Sequence, residues 1–261
     1  MTFQIVSDLH LEAPAAYDLF EIPARAPFLA LLGDIGNVKD AGLFSFLETQ
    51  LGVFQVVFFL LGNHEPYHTN WTSAKERIHA FSQRVADRPG LGTFVFLDNS
   101  RFDVSDQVTV LGCTLFSRIL REQENRVSFG VNDFIHMDDW TVEQHSEKHA
   151  ADLAWLNSQI AQIAAAEPTR QIVVFTHHSP TFLPEAIAPA HANSPISSAF
   201  ASDLSAEPCW TSPQVKLWAF GHTHHNCRFQ SGQKTLLTNQ RGYYFAQAAG
   251  FDPAFTITIA E

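Results

Sequence analysis

Asp8 and His10 close an apolar run with one leucine between them. A carboxylate and an imidazole two residues apart on extended backbone face the same way and can grip one cation. His222 and His224 repeat that spacing after another apolar run. Three further runs end in residues of the same kind. One delivers Asp34 between Gly33 and Gly36, glycines that let backbone and ligand approach closely. Another ends in Leu61-Gly62-Asn63-His64-Glu65, where the Asn63 side-chain oxygen can bind a hard cation without adding charge, or cap a helix. The last ends in Phe175-Thr176-His177-His178-Ser179-Pro180. Each motif alone is ordinary: a Gly-Asp turn, a surface histidine, a cap. Their conjunction is not, because in open α/β sheets the C-terminal strand ends meet at one crevice.

The donors are carboxylate, amide oxygen and imidazole, without thiolate. Such a set suits Mn²⁺, Fe or Zn²⁺ in a working site rather than a cysteine-rich structural zinc. Asp8, His10, Asp34, Asn63, His177, His222 and His224 are too many ligands for one such ion. They fit two ions sharing a carboxylate. Residue type does not choose between His177 and its neighbour His178. Two ions about 3.5–4 Å apart clamp a phosphate and activate a water between them. His64 stands where it can protonate a departing oxygen. Neither a Gly-x-Ser-x-Gly elbow nor a Walker Gly-x-x-x-x-Gly-Lys loop occurs in the sequence.

The elements that must hold these residues are legible as short apolar runs bounded by Gly, Asn, Asp and Pro. Strands are predicted over 3–7, 28–32, 55–61, 93–97, 108–111, 172–176, 216–220, 235–239 and 255–259, with helices over 41–51, 73–86 and 146–166. In the last helix Leu153, Leu156, Ile160 and Ile163 share a face with Trp155 beside it, and Pro168 closes it. Strand and helix alternate early and strands dominate late, which predicts a layered α/β sandwich. The chain reads as one domain, 1–261, with long unpatterned loops over 113–144 and 179–213. Loops of that length in a compact domain are commonly lids or binding loops. Asn132-Asp133-Phe134 and Trp140 in the first loop form a candidate lid, with core packing the favoured role for Trp140. In the second, His191 and residues 194–200 are candidates to line the substrate entrance. His145 and His149 have a helical i, i+4 spacing but lack the His-Glu-x-x-His pattern, so they read as a solvated helix face.

A formal net charge of −11 repels polyanions, so long nucleic acid is not the expected partner. The 23 phenylalanines suit a thick core between sheets. Cys113, Cys209 and Cys227 are odd in number and widely spaced, which predicts free thiols in a reducing, cytoplasmic setting. The most apolar run, 53–61, is too short to span a bilayer, and no signal peptide is evident. The sequon Asn70-Trp71-Thr72 carries no meaning in a cytosolic chain.

Asp-x-His, Gly-Asp, Gly-Asn-His-Glu, His-His-x-Pro and Gly-His-x-His, in this order from Asp8 to His224, resemble the calcineurin-like metallophosphoesterase superfamily. The chain is most similar in kind to small stand-alone microbial members with a Gly-Asp-Ile-Gly-Asn signature. The resemblance implies a four-layer α/β/β/α sandwich of two mixed sheets flanked by helices, with a dinuclear metal site at the strand C-terminal ends. It implies one ion on Asp8, His10, Asp34 and His224, and the other on Asp34, Asn63, His177 and His222. Asp34 would be the bridge and His177, rather than His178, the ligand. It further implies that His64 and Asp34 are catalytic, that a hydroxide between the ions is the nucleophile, and that the ions are two divalent metals, manganese first, iron or zinc next. His178, Asn132, His191 and His225 are candidates for contact with substrate. Residues 35–38 lack the Gly-Asp-x-Val-Asp-Arg-Gly form of the protein phosphatases, and Asn37 cannot replace the tyrosine ligand of purple acid phosphatases. The expected substrate is a phosphoester small molecule or nucleotide, cleaved by a phosphodiesterase or phosphatase. A nuclease, or a non-catalytic metal-binding scaffold for protein interaction, are the alternatives.

Overall fold

Strands buried on both faces leave continuous apolar runs rather than alternating ones, and the central strands here are of that kind. The computed structural model describes residues 1–260. In chain order, β1 (Thr2–Val6), β2 (Phe28–Leu32), β3 (Val56–Leu60) and β4 (Thr93–Phe96) lie parallel in one sheet. Next, β5 (Ser100–Asp103), β6 (Val108–Cys113), β7 (Gln171–Thr176), β8 (Val215–Ala219), β9 (Arg228–Ser231) and β10 (Lys234–Leu237) build a second, six-stranded sheet in the order β5-β6-β7-β8-β10-β9. A small hairpin follows, β11 (Gly242–Tyr243) and β12 (Ala246–Gln247). Last, β13 (Thr256–Thr258) returns to the first sheet, antiparallel to β1. Its five strands run β13-β1-β2-β3-β4.

Side chains alternate between two apolar surfaces along each strand. Phe3, Ile5, Phe58 and Leu60 of the first sheet meet Val110, Val173, Phe175 and Leu217 of the second in one inter-sheet core. Each fully buried phenylalanine there contributes about 1.5–3 kcal/mol of hydrophobic stabilisation. The other face of the first sheet, with Leu29, Leu31, Val57 and Phe59, packs on α1 (Ala41–Leu51) and α2 (Trp71–Val85). The outer face of the second sheet, with Ile172, Val174 and Trp218, packs on a long helix and on α6 (Pro208–Thr211). The result is the expected α/β/β/α stack. The nine predicted strands all form, with ends shifted by a residue or two, while β5, β9 and the hairpin were not predicted. The loop over 113–144 contains α3 (Glu124–Gly130) and α4 (Asp133–His136). The long helix, α5 (Val142–Ala166), begins four residues earlier than predicted, behind a Thr141–Gln144 capping box. The loop over 179–213 holds three short 3₁₀ turns and α6.

The solvated reading of His145 and His149 is overturned: both rings are buried. With Asp152 they form a polar stripe down one face of α5 that grips the turn after β6. His145 Nε2 accepts from the Ser117 backbone at 3.2 Å, His149 Nδ1 donates to the Leu115 carbonyl at 2.9 Å, and Asp152 accepts from the Leu115 N–H at 2.9 Å. Leu115 and Phe116 have φ of 69° and 47°, so this turn is strained and needs such a clamp. Trp140 packs in the core against Phe116 and Trp71. Burial pulls His145 down to about 3 and lowers His149 as well. The unfolded chain binds those protons near pH 6.5, the folded chain only far below. The stability held by the neutral rings is therefore complete above pH 6.5 and is lost as pH falls from there toward 3. His145 alone accounts for about 2 kcal/mol between pH 7 and 5. Urea melts of the native chain should lose that much more over this interval than melts of His145→Gln; equal losses would contradict it.

Among the described residues no helix is long and apolar enough to cross a membrane. The three cysteines are free, as expected.

Candidate metal centre

The turns after β1, β2 and β3 belong to one sheet and those after β7 and β8 to the other, so the cluster straddles the C-terminal edges of two stacked sheets. The turns are laced together by backbone bonds: Asp8 N–H to Gly33 O at 3.0 Å, His10 N–H to Asp34 O at 2.9 Å, and Gly221 N–H to His177 O at 2.9 Å. Buried Glu65 adds a fourth tie. Its carboxylate accepts from the backbone of Asp34 at 3.0 Å, Ile35 at 2.8 Å and Gly62 at 2.7 Å, joining the Gly-Asp and Gly-Asn-His-Glu turns. Gly62 permits that approach, because a Cβ there would collide with Asp34 Oδ1 and its backbone N.

Asp8, His10, Asp34, His222 and His224 all have positive φ, between 47° and 69°. The extended i, i+2 geometry expected for the two pairs is therefore not the one that makes them converge. Each of these five sits on a left-handed kink that turns the side chain into the cleft. Non-glycine residues hold such kinks only where surrounding structure imposes them, and they gather at functional sites.

Two groups result. In one, His10 Nε2 lies 2.9 Å from His224 Nε2, and His224 Nε2 lies 3.3 Å from Asp8 Oδ1. In the other, His177 Nε2 lies 3.0 Å from Asn63 Oδ1 and 3.5 Å from Asp34 Oδ2, with His222 in the same cluster. Asp34 connects them, its Oδ2 being 3.9 Å from His10 Nε2. The donors are oriented by bonds on their far sides. His177 Nδ1 donates to Leu32 O at 2.8 Å, which turns Nε2 toward Asn63 and Asp34. Asn63 Nδ2 donates to Asp133 at 2.7 Å, which turns its oxygen inward. His222 Nε2 is buried without a hydrogen-bond partner, and burial holds that ring well below the usual histidine range, in the neutral form that binds metal. Burial would raise Asp34, but the charges of His177 and His64 outweigh it and hold the carboxyl well below its usual range. Orphaned imidazole nitrogen, amide oxygen and two ionised carboxylates fit a pair of divalent cations.

Glu12 and Tyr243 were missed in the sequence. Glu12 Oε1 accepts from His10 Nδ1 at 3.2 Å and from His64 Nδ1 at 3.0 Å. Burial works against its ionisation, but the bonds from both histidines prevail and bring it down to about 2. Burial likewise disfavours protonated His64, yet Asp34's charge and Glu12's bond and charge raise it to about 9. The Tyr243 hydroxyl is 3.1 Å from His64 Nε2, and its ring stacks 4.3 Å from His10. Glu12 was discoverable, since Asp8-x-His10-x-Glu12 continues one alternation. Asn132 and His191 line the cavity beside the cluster. His178 does not: it is buried behind the site, packed on His222 at 4.1 Å and Phe116 at 5.3 Å. His225 is also outside the cavity wall, and its carbonyl receives Gln240 and Thr238. Asp133 of the expected lid is instead a fixed partner of Asn63 and Tyr67. Removing such a partner costs about 10–100-fold in metal affinity or activity. Glu12→Gln should show a loss of that size in kcat/KM with its melting temperature preserved, and a loss below threefold would contradict the positioning role.

Two stacked mixed sheets with outer helices and a histidine, carboxylate and amide cluster at their shared edge define the class of metal-dependent phosphoester hydrolases. The chain belongs to the calcineurin-like phosphoesterase family, whose model matches residues 1–226. That family depends on two metals, and the clusters here supply candidate ligands. An uncharacterized protein of Acanthamoeba polyphaga mimivirus is 26% identical over 279 residues, covering 98% of this chain and 96% of its own. The fold is similar to that of a phosphopantetheinyl hydrolase from Mycobacterium tuberculosis, with a TM-score of 0.67 at 15% identity, covering 93% of this chain and 89% of the other. It is also similar to a dimetal phosphatase from Danio rerio, with a TM-score of 0.53 at 17% identity, covering 91% and 86%.

Proposed function

We propose that the chain, acting as one domain over 1–261, hydrolyses the phosphoester of a small molecule or nucleotide at a dinuclear centre. Asp8, His10, Asp34 and His224 would hold one ion, and Asp34, Asn63, His177 and His222 the other. The observation that carries this reading is the placement of Asp34 between two donor groups, with His64 alongside. Manganese is the first choice of metal, iron or zinc the next. When bound, the ions supply Lewis acidity toward phosphate oxygens and an activated water.

The chain's own groups do the rest. His64, hydrogen-bonded through Nδ1 to Glu12, delivers a proton from Nε2 to the leaving oxygen, and the Tyr243 hydroxyl keeps that nitrogen directed. Glu12 retains this bond to His64 when Asp34's charge is shared with cations. Asn63 contributes a neutral oxygen, so the site binds its ions without excess negative charge that would repel substrate. The two named structural relatives, a phosphopantetheinyl hydrolase and a dimetal phosphatase, support phosphoester chemistry on this fold. The test is metal add-back. Stripped protein receiving Mn²⁺, Fe²⁺ or Zn²⁺ should gain hydrolysis of bis(p-nitrophenyl) phosphate or p-nitrophenyl phosphate. No gain on either ester with any metal would refute the reading.

A further inference from the structure

The cavity that opens on the candidate centre has a volume of about 490 Å³, and its lining contains no lysine and no arginine. That volume is within the range of small-molecule sites, about 300–1,000 Å³. Beyond the polar cluster at its floor, Val131, Phe182, Ala186, Ile187, Ile196 and Phe200 give the wall an apolar stretch, interspersed with neutral polar side chains such as Asn132, Thr181 and Ser197. The apolar wall reaches the centre itself, since Phe200 stacks on His222 with ring centroids 4.9 Å apart. Phe245, 73% exposed, stacks on Tyr243 of the wall at 5.4 Å.

A phosphate away from the metal ions is held most strongly by cationic, charge-assisted donors, usually arginine or lysine. Burying it without them carries a large desolvation penalty. The wall offers instead a carboxylate, Asp133, one exposed histidine outside the centre, His191, and only neutral donors such as Asn132, Thr181 and Ser197. We propose that the substrate carries a single phosphate, the one seated at the centre, on an uncharged arm that fills this cavity. Ile187, Ile196 and Phe200 then determine specificity by excluding a second anionic group. This rests on the phosphoesterase reading above.

The experiment uses the metal-loaded full chain and a matched pair of diesters, thymidine 5′-(p-nitrophenyl phosphate) and the same compound carrying a 3′-phosphate. The uncharged arm should be preferred by about tenfold or more in kcat/KM, chiefly through KM, and Ile187→Lys should narrow that ratio. Calorimetry with the corresponding non-hydrolysable phosphonates reads the same preference without turnover. Equal or better use of the 3′-phosphorylated diester, or a ratio unmoved by Ile187→Lys, overturns the cavity assignment while hydrolysis stands. Preferential binding of the uncharged phosphonate without hydrolysis of either ester refutes the hydrolase reading and supports the cavity assignment. Absence of binding by both phosphonates overturns the assignment as well.

Discussion

Asp34→Ala should abolish turnover and empty both metal positions together. Asp34 Oδ2 faces His10 Nε2 on one side and His177 Nε2 on the other, at 3.9 Å and 3.5 Å, while Oδ1 accepts the His64 backbone N–H at 2.8 Å. Alanine deletes the one carboxylate that both donor groups share. The loss in kcat/KM is expected to be on the order of 10⁴-fold or more, as for removal of a group on which a whole catalytic unit depends. Backbone placement survives, because Glu65 still receives the N–H of residue 34. Asp34→Asn keeps the shape and separates charge from sterics. Metal content by atomic emission and turnover are measured on the same samples. A variant that kept two ions, or kept activity, would rule out Asp34 as the bridge.

His64→Gln should leave both ions in place and slow the chemistry. His64 is in neither proposed ligand set, and its ring is fixed by Glu12 at 3.0 Å and Tyr243 at 3.1 Å. General acid catalysis is worth about 10²–10⁴-fold. That full loss is expected in kcat with an alkyl leaving group, whose oxygen must be protonated as it departs. With p-nitrophenolate, which leaves without a proton, the loss should be much smaller. Equal losses on both leaving groups would remove the acid role, whatever their size.

Apolar runs placed every central strand, because burial on both faces demands them, and ligand types at strand ends placed the cluster. What was not legible shares one cause: dependence on partners distant in sequence. Asp133 orients Asn63 from seventy residues away, and nothing local marks it. Tyr243 reaches the site from a hairpin of two-residue strands too short to leave a periodic trace. His145 and His149 were read as solvent-facing because buried polar side chains are costly. Only the strained turn after β6, with its Leu115 and Ser117 backbone groups, makes their burial favourable. The left-handed kinks at five of the ligand candidates leave no signature in residue type either, since aspartate and histidine occupy them here without glycine's freedom.

Titration of Mn²⁺ into the metal-stripped full chain, with binding stoichiometry and hydrolysis of bis(p-nitrophenyl) phosphate followed on the same samples, bears most directly on a dinuclear centre joined by Asp34. Two ions per chain are expected, with turnover rising only as the second is taken up. Full activity at one ion per chain, or activity without metal, would contradict it.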